Sequence, residues 1–243
     1  MDTAKSSVAE QKLTVGDGLV GMLNVFVDPK ATARRVPAPL SWLWPLITLF
    51  VVSMVFGYLM MPYITQAFDV RLRQANVAPE QFERVQTIYH VVAQLIPVIG
   101  PVTVLIGLLL LAWLVGLTGS MVGMRVKFRD LFALIAACWL VQVLQTIAIY
   151  IVLRTKGDEI TSQDQLTPPF GLDIALQNVH GALGAVLNFF SIFEIWFLVV
   201  LTIGLAYLAK TTKGKAFFAI TVAWLVPLLV RIIQGMFQPA TTG

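Results

Sequence analysis

The sequence is short of charge. Charged residues make up 12% of it, against about 25% in an ordinary soluble domain. So few ionised groups cannot cover a water-exposed surface, which excludes a soluble globular fold. Cysteine is reduced to Cys138, which excludes an intrachain disulfide and a cysteine-built metal site. Histidine is reduced to His90 and His180, and neither has a neighbour at zinc-ligand spacing. There is no phosphate-binding Gly-Lys-Ser/Thr loop and no dinucleotide fingerprint. Gly119-Ser120 ends an apolar run with no histidine expected at its depth, which argues against a serine–histidine hydrolase. Gly16-Asp17-Gly18 precedes the first span, which argues against an intramembrane aspartyl protease. No catalytic, cofactor or metal residues are expected, and an enzyme is not expected.

What is there is apolar: hydrophobic residues make up 58% of the chain. A bilayer crossing needs about 20 mostly apolar residues. Runs of that length recur at about 41–61, 98–122, 131–153, 187–209 and 216–236. They predict an all-α polytopic membrane protein, a single domain with five transmembrane helices over residues 13–238. Residues 1–12 are polar and aperiodic and are expected to be a disordered cytoplasmic tail; residues 239–243 form a short outer tail. No cleavable leader pattern is seen, so the first span is expected to act as the targeting signal.

Before the first span, Leu19, Val20, Leu23, Phe26 and Val27 recur at helical spacing in a run too short to cross. This predicts an amphipathic helix on the membrane surface. Asp28-Pro29 supplies an N-cap and a first-turn proline for a short basic helix with Arg34 and Arg35. The interfacial helices thus cover 15–36. Trp42 and Trp44 open the first span at interfacial depth, and Pro62 is expected to close it. Residues 63–94 read as a mixed polar loop. Its second half, from Pro79, turns amphipathic and feeds span two, where Pro97 and Pro101 are expected to kink or break the entry.

Loop charge orients the spans. With the N-terminus inside, the cytoplasmic loops hold Lys5, Lys12, Lys30, Arg34, Arg35, Arg125, Lys127, Arg129, Lys210, Lys213 and Lys215. The outer loops hold Arg71, Arg73, Arg84, Arg154 and Lys156. Eleven against five predicts the N-terminus in the cytoplasm and the C-terminus outside. Because the +4 charge is dispersed among loops, nucleic acid is not an expected partner; the lipid bilayer is. Arg34, Arg35, Arg125, Lys127, Arg129, Lys210, Lys213 and Lys215 are the expected lipid-headgroup contacts.

Two features inside the spans carry candidate sites. Gly116, Gly119, Ser120 and Gly123 bring small residues to the end of span two, where they are expected to let helices approach closely. Glu194 and Arg231 each sit within a long apolar run, equidistant from the basic turn at 210–215, so a hairpin places them at one depth. Buried charge in lipid is costly and pairs. A polar cluster of Glu194, Arg231, Gln142, Gln145 and Asn188 is therefore expected, either as interhelical glue or as the lining of a hydrophilic cavity.

Several stretches resemble the Yip (Ypt/Rab-interacting protein) family, in its bacterial branch. They are GLVGMLNVFVDPKATARRV at 18–36, KFRDLFALIA at 127–136 and FEIWFLVVLTIGLAYLAKTTKGKAFFAITVAWLV at 193–226. The resemblance covers about 13–236. It implies a five-span protein with the N-terminus in the cytoplasm, set in a bacterial inner membrane. The eukaryotic branch carries an Asp-Leu-Tyr-Gly-Pro motif where this chain has Ser41-Trp42-Leu43-Trp44-Pro45, so GTPase binding and vesicle trafficking are not carried over. The expected function is a non-enzymatic scaffold or adaptor in membrane organisation or trafficking-like processes, one that associates with itself or with another membrane protein. The alternative is a small transporter or channel with its pocket around Glu194 and Arg231.

Overall fold

The computed structural model describes residues 13–74, 79–156, 166, 170–171, 183, 186–187 and 189–236. Among them helices dominate and no strand occurs beyond one isolated bridge, Gly171 to Ser191. An apolar chain in lipid must satisfy its backbone polar groups within each segment, and the helix does so.

The first helix, α1 (Val15–Leu23), opens at Thr14 and passes through a tight turn, Asn24–Phe26, to α2 (Pro29–Arg35). The Asp28 side chain accepts from the N–H groups of Lys30 and Ala31, with Pro29 in the first turn. The two helices are not loose on a surface. The Thr32 hydroxyl donates to the Gly21 carbonyl at 2.7 Å, and the Trp44 indole N–H donates to the Val15 carbonyl at 3.2 Å. The Phe26 ring meets Trp196 edge-on. The outward side of α1 still exposes Val15, Leu19, Val20 and Leu23.

Helices α3 (Leu43–Gln74) and α4 (Pro79–Met121) form one long antiparallel hairpin. Here two expectations from proline are corrected, that Pro62 closes its helix and that Pro97 and Pro101 could break theirs. Pro62 lies inside α3 rather than closing it, and Pro97 and Pro101 lie inside α4. In water a proline ends a helix cheaply because solvent takes up the freed carbonyls. In lipid, leaving the helix strands more backbone groups than the proline does, so the helix runs through. The first half of the stretch read as a polar loop is a helical extension of α3, and its second half is the helix expected from Pro79, which opens α4; the two lie side by side. Phe68 stacks on Tyr89 at 4.4 Å, and Asp69 accepts from Gln86 at 3.1 Å and faces His90 at 3.5 Å.

The third apolar run is interrupted. α5 (Phe128–Cys138) and α6 (Leu140–Lys156) meet at Trp139, where the Gln142 N–H bonds the Trp139 carbonyl three residues back. α7 (Ile192–Leu208) and α8 (Lys213–Met236) follow. Among the described residues four stretches are long and apolar enough to cross a membrane: Leu43–Val70, Gln81–Met121, Phe128–Thr155 and Lys213–Val230. α7, at 17 residues, rises about 26 Å, at the lower limit of a crossing. The chain is an all-α polytopic membrane protein.

The core lies where α4, α5, α7 and α8 converge. Leu108, Leu134, Ile135, Phe197, Leu201 and Ile220 are fully buried there. α5 is central: every residue from Leu131 to Cys138 is buried. α3 and the outer face of α4 present Phe50, Val51, Met54, Val102, Ile106, Leu110 and Trp113 outward, a surface only lipid can solvate. The Thr118 hydroxyl donates to the Ala219 carbonyl at 2.8 Å, which holds the end of α4 to the beginning of α8. That contact sets the 122–127 loop and the 209–212 turn at one end of the bundle, with α1 and α2.

Candidate functional site

Glu194 is the centre of the polar cluster, but its setting differs from the one expected. It stands in the first turn of α7, not deep within a helix. The preceding residues 183, 186, 187 and 189 are helical and Phe190 is a bend. Ser191 is extended and accepts from the Glu194 N–H at 3.1 Å, so a Ser-x-x-Glu cap restarts the helix inside the apolar run. Gly171 bridges to Ser191, and the Ile192 N–H bonds the Phe170 carbonyl at 3.1 Å. The positive end of the α7 dipole therefore faces the Glu194 carboxylate.

Two other helices reach the same carboxylate. The Gln142 side-chain amide donates to Oε2 at 2.6 Å, and the Trp224 indole N–H donates to Oε1. Charge-assisted bonds of this kind are the strong ones, and here they tie α6, α7 and α8 at one depth. Glu194 lies 14 residues from the last residue of α7, about 21 Å along the axis. A cavity of about 260 Å³ adjoins the carboxylate, lined by Gln142, Gln145, Thr146 and Ser191 on its polar side and by Trp139, Ile149 and Phe189 on its apolar side. The structure thus brings Glu194, Gln142 and Gln145 together. Asn188 and the side chain of Arg231 lie outside the described residues. The Arg231 backbone sits in α8, seven residues past Trp224. Trp224 itself, boxed by Phe189 and Phe190, was not anticipated; an indole in an apolar run gives no sign of its partner.

The small-residue group is placed differently from the expectation. A Cβ on Gly116 would meet only Leu131 at 3.5 Å, and one on Gly119 would meet the flexible end of Met124 at 2.9 Å. Gly123, at φ +81°, has open space and makes the turn after α4. Gly116, Gly119 and Ser120 line a cavity of about 410 Å³ with Arg125 and Lys127 at its rim, instead of gripping a neighbouring backbone. The close approach occurs elsewhere: a Cβ on Gly57 would sit 2.9 Å from the Pro97 Cα, where α3 crosses α4.

With the fold and these contacts in view, the comparison with known families is decisive. A model described as Yip1 domain matches residues 23–233. The chain belongs to the Yip1 family. No curated protein and no solved structure matches it. The Yip1 match begins at Leu23, the last residue of α1, and runs to the last turns of α8, so it takes in α2 and leaves all but the end of α1 outside it.

The basic residues expected at lipid headgroups collect at one end of this Yip1 domain, but three of them have protein partners. The Arg34 Nε lies 3.4 Å from the Tyr207 hydroxyl, with the guanidinium 5.9 Å from the ring centroid, and that hydroxyl holds the arginine above its usual range. Arg35 faces Asp17 at 4.0 Å. Arg129 pairs with Asp130 at 3.3 Å. Arg125, Lys127, Lys210, Lys213 and Lys215 are exposed. Among the described residues no cluster of three metal-ligating side chains occurs.

Proposed function

We propose that this Yip1-family protein is a non-enzymatic membrane scaffold or adaptor. In this reading it crosses a bacterial inner membrane five times, with the N-terminus and the basic end in the cytoplasm. The observation that carries the reading is the filled interior. Phe197, Leu201, Leu205 and Ile220 occupy the space between the basic end and the Glu194 cavity, so the polar groups are walled off from that side. A polar cluster that joins three helices, with no path through them among the described residues, is suited to holding a shape. The α1–α2 unit, packed into the same end, presents that shape at the inner leaflet for self-association or for another membrane protein. Purification of the full chain in mild detergent, with mass spectrometry of what co-purifies, tests it. A stoichiometric protein partner or a defined oligomer is expected. A lone monomer with one small solute bound sinks the scaffold.

The Glu194 cavity favours a second reading, a small transporter or channel. Its polar lining and its position at a helix restart are what such a site uses. Single-cysteine variants at Gln142, Gln145 and Glu194 decide it. Labelling of all three by a water-soluble thiol reagent from both sides of the membrane supports transport; inert thiols remove it.

A further inference from the structure

At the basic end, two stretches far apart in sequence, one at Lys30 and one over 203–213, line a second cavity, of about 460 Å³. Lys30 comes from α2, Ile203, Ala206 and Tyr207 from the last turns of α7, and Lys210, Thr211 and Lys213 from the turn into α8. The lining is divided: Ile203 and Ala206 face it from the span, and the three lysines face it from the rim.

Of the neighbouring arginines, Arg35 faces Asp17, and Arg34 bonds the Tyr207 hydroxyl, which places its charge beside the same cavity. Lys30, Lys210 and Lys213 have no ion-pair partner among the described residues. Asp28, the nearest carboxylate in sequence, spends its oxygen on the N–H groups that begin α2. Three like charges at the rim of one cavity favour an anion between them. α7 ends in a Schellman turn, with the Thr211 N–H on the Ala206 carbonyl and the Lys210 N–H on the Tyr207 carbonyl. That geometry puts Lys210 at φ +49°, a left-handed position where glycine is favoured and another residue is strained.

Cations on the rim and an apolar wall toward the span match an amphiphile whose anionic head lies outward and whose chains run inward. We propose that this cavity seats the headgroup of an anionic phospholipid carrying two phosphate charges, held by Lys30, Lys210 and Lys213, with an acyl chain along Ile203 and Ala206. A singly charged head leaves most of the lysine charge uncompensated, which is why the doubly charged class is chosen. The proposal rests only on the α7–α8 turn lying at a membrane surface. It stands or falls apart from the scaffold reading, because its readout needs no protein partner.

The test is native mass spectrometry of the purified full chain titrated with diphosphatidylglycerol, with singly charged phosphatidylglycerol and with inorganic phosphate. One tightly held diphosphatidylglycerol is expected, displaced by neither of the other two at equal concentration. Replacing Lys30, Lys210 and Lys213 together by glutamine is expected to weaken it by about tenfold or more. Replacing Arg125, Lys127 and Arg129, the same charge at the same end, is expected to change it less than about twofold. Equal losses from the two triple variants would show diffuse surface attraction and overturn the site; displacement by phosphate would show a free-anion site and overturn the lipid. Lys210→Gly guards against misfolding. It relieves the left-handed strain, so the melting temperature should rise while lipid binding falls. A higher melting temperature with unchanged lipid binding also overturns the proposal.

Discussion

At the residue scale the carboxylate of Glu194 decides most, because two donors on different helices depend on it. Glu194→Ala leaves the Gln142 amide and the Trp224 indole N–H without their acceptor. Each buried donor stranded in this way costs roughly 1–3 kcal/mol. The variant should melt well below the wild type in detergent, and Trp224 should lose its fluorescence signature. Replacing Glu194 and Gln142 together by leucine removes a donor along with the acceptor. The double variant should therefore be more stable than the sum of its single variants, with a coupling of about 0.5–3 kcal/mol. Additive losses would mean that the hydrogen bond between them contributes nothing. The contrast between Gly57 and Gly116 is equally sharp. Gly57→Ala drives a Cβ to 2.9 Å from the Pro97 backbone, while Gly116→Ala makes an ordinary contact at 3.5 Å. Gly57→Ala should cost about 1–3 kcal/mol as overpacking against a backbone that cannot move aside. Gly116→Ala should be close to neutral. Thermal unfolding of the two variants side by side checks this.

At the element scale the lesson concerns which local signals survive in lipid. The apolar runs were legible because a crossing helix must be long and apolar whatever its neighbours are. Asp28-Pro29 was legible because α2 starts near water, where a cap competes with solvent as it does in soluble proteins. Pro62 does not end α3, and Pro97 and Pro101 do not break α4, because the breaking power of proline depends on water being there to take the freed carbonyls. Ser191-x-x-Glu194 was overlooked for the converse reason. It is a helix-start signature set in the middle of an apolar run, where length alone argued for one continuous helix. The break at Trp139 has no proline or glycine to announce it. The glycine stripe at 116–123 was read by spacing alone, and spacing does not say whether a helix, a loop or a lipid lies opposite.

The α1 helix carries the pH prediction that belongs to this scale. The Thr14 backbone N–H and hydroxyl both donate to Asp17, at 2.6 and 2.8 Å, and with Arg35 they hold its carboxyl below the ordinary value of 3.8. A carboxyl whose pKa is depressed by folding supports the folded arrangement above 3.8. That support is lost as pH falls through the lowered value. The Trp44 indole, bonded to the Val15 carbonyl, reports whether α1 is docked. Its emission should hold steady from neutral pH to about 4 and shift only below that. In Asp17→Asn the acid-dependent step should disappear. An unchanged acid transition in that variant would mean that another group controls docking.

At the scale of the whole molecule, charge and shape agree on a direction. The fold gathers Lys30, Arg34, Arg35, Arg125, Lys127, Arg129, Lys210, Lys213 and Lys215 at one end, whereas Arg73, Arg84 and Arg154 lie on helices that extend toward the other. Short basic loops stay on the side of synthesis because moving them across the membrane is opposed. The basic end should therefore face the cytoplasm, and an odd number of crossings should place the two termini on opposite sides. The weak link is α7, whose 17 residues only just suffice. If α7 and the helical residues before it fail to complete a crossing, the two termini share a side. Reporters that are active only outside the cytoplasm, fused in turn to each terminus, separate these cases. Activity is expected after Gly243 and not before Met1. Activity at neither terminus would reduce the crossings to four and place Glu194 in a helix that enters the membrane and returns. The Gln142–Glu194–Trp224 linkage would then be the hinge of a re-entrant loop rather than the pin of a bundle.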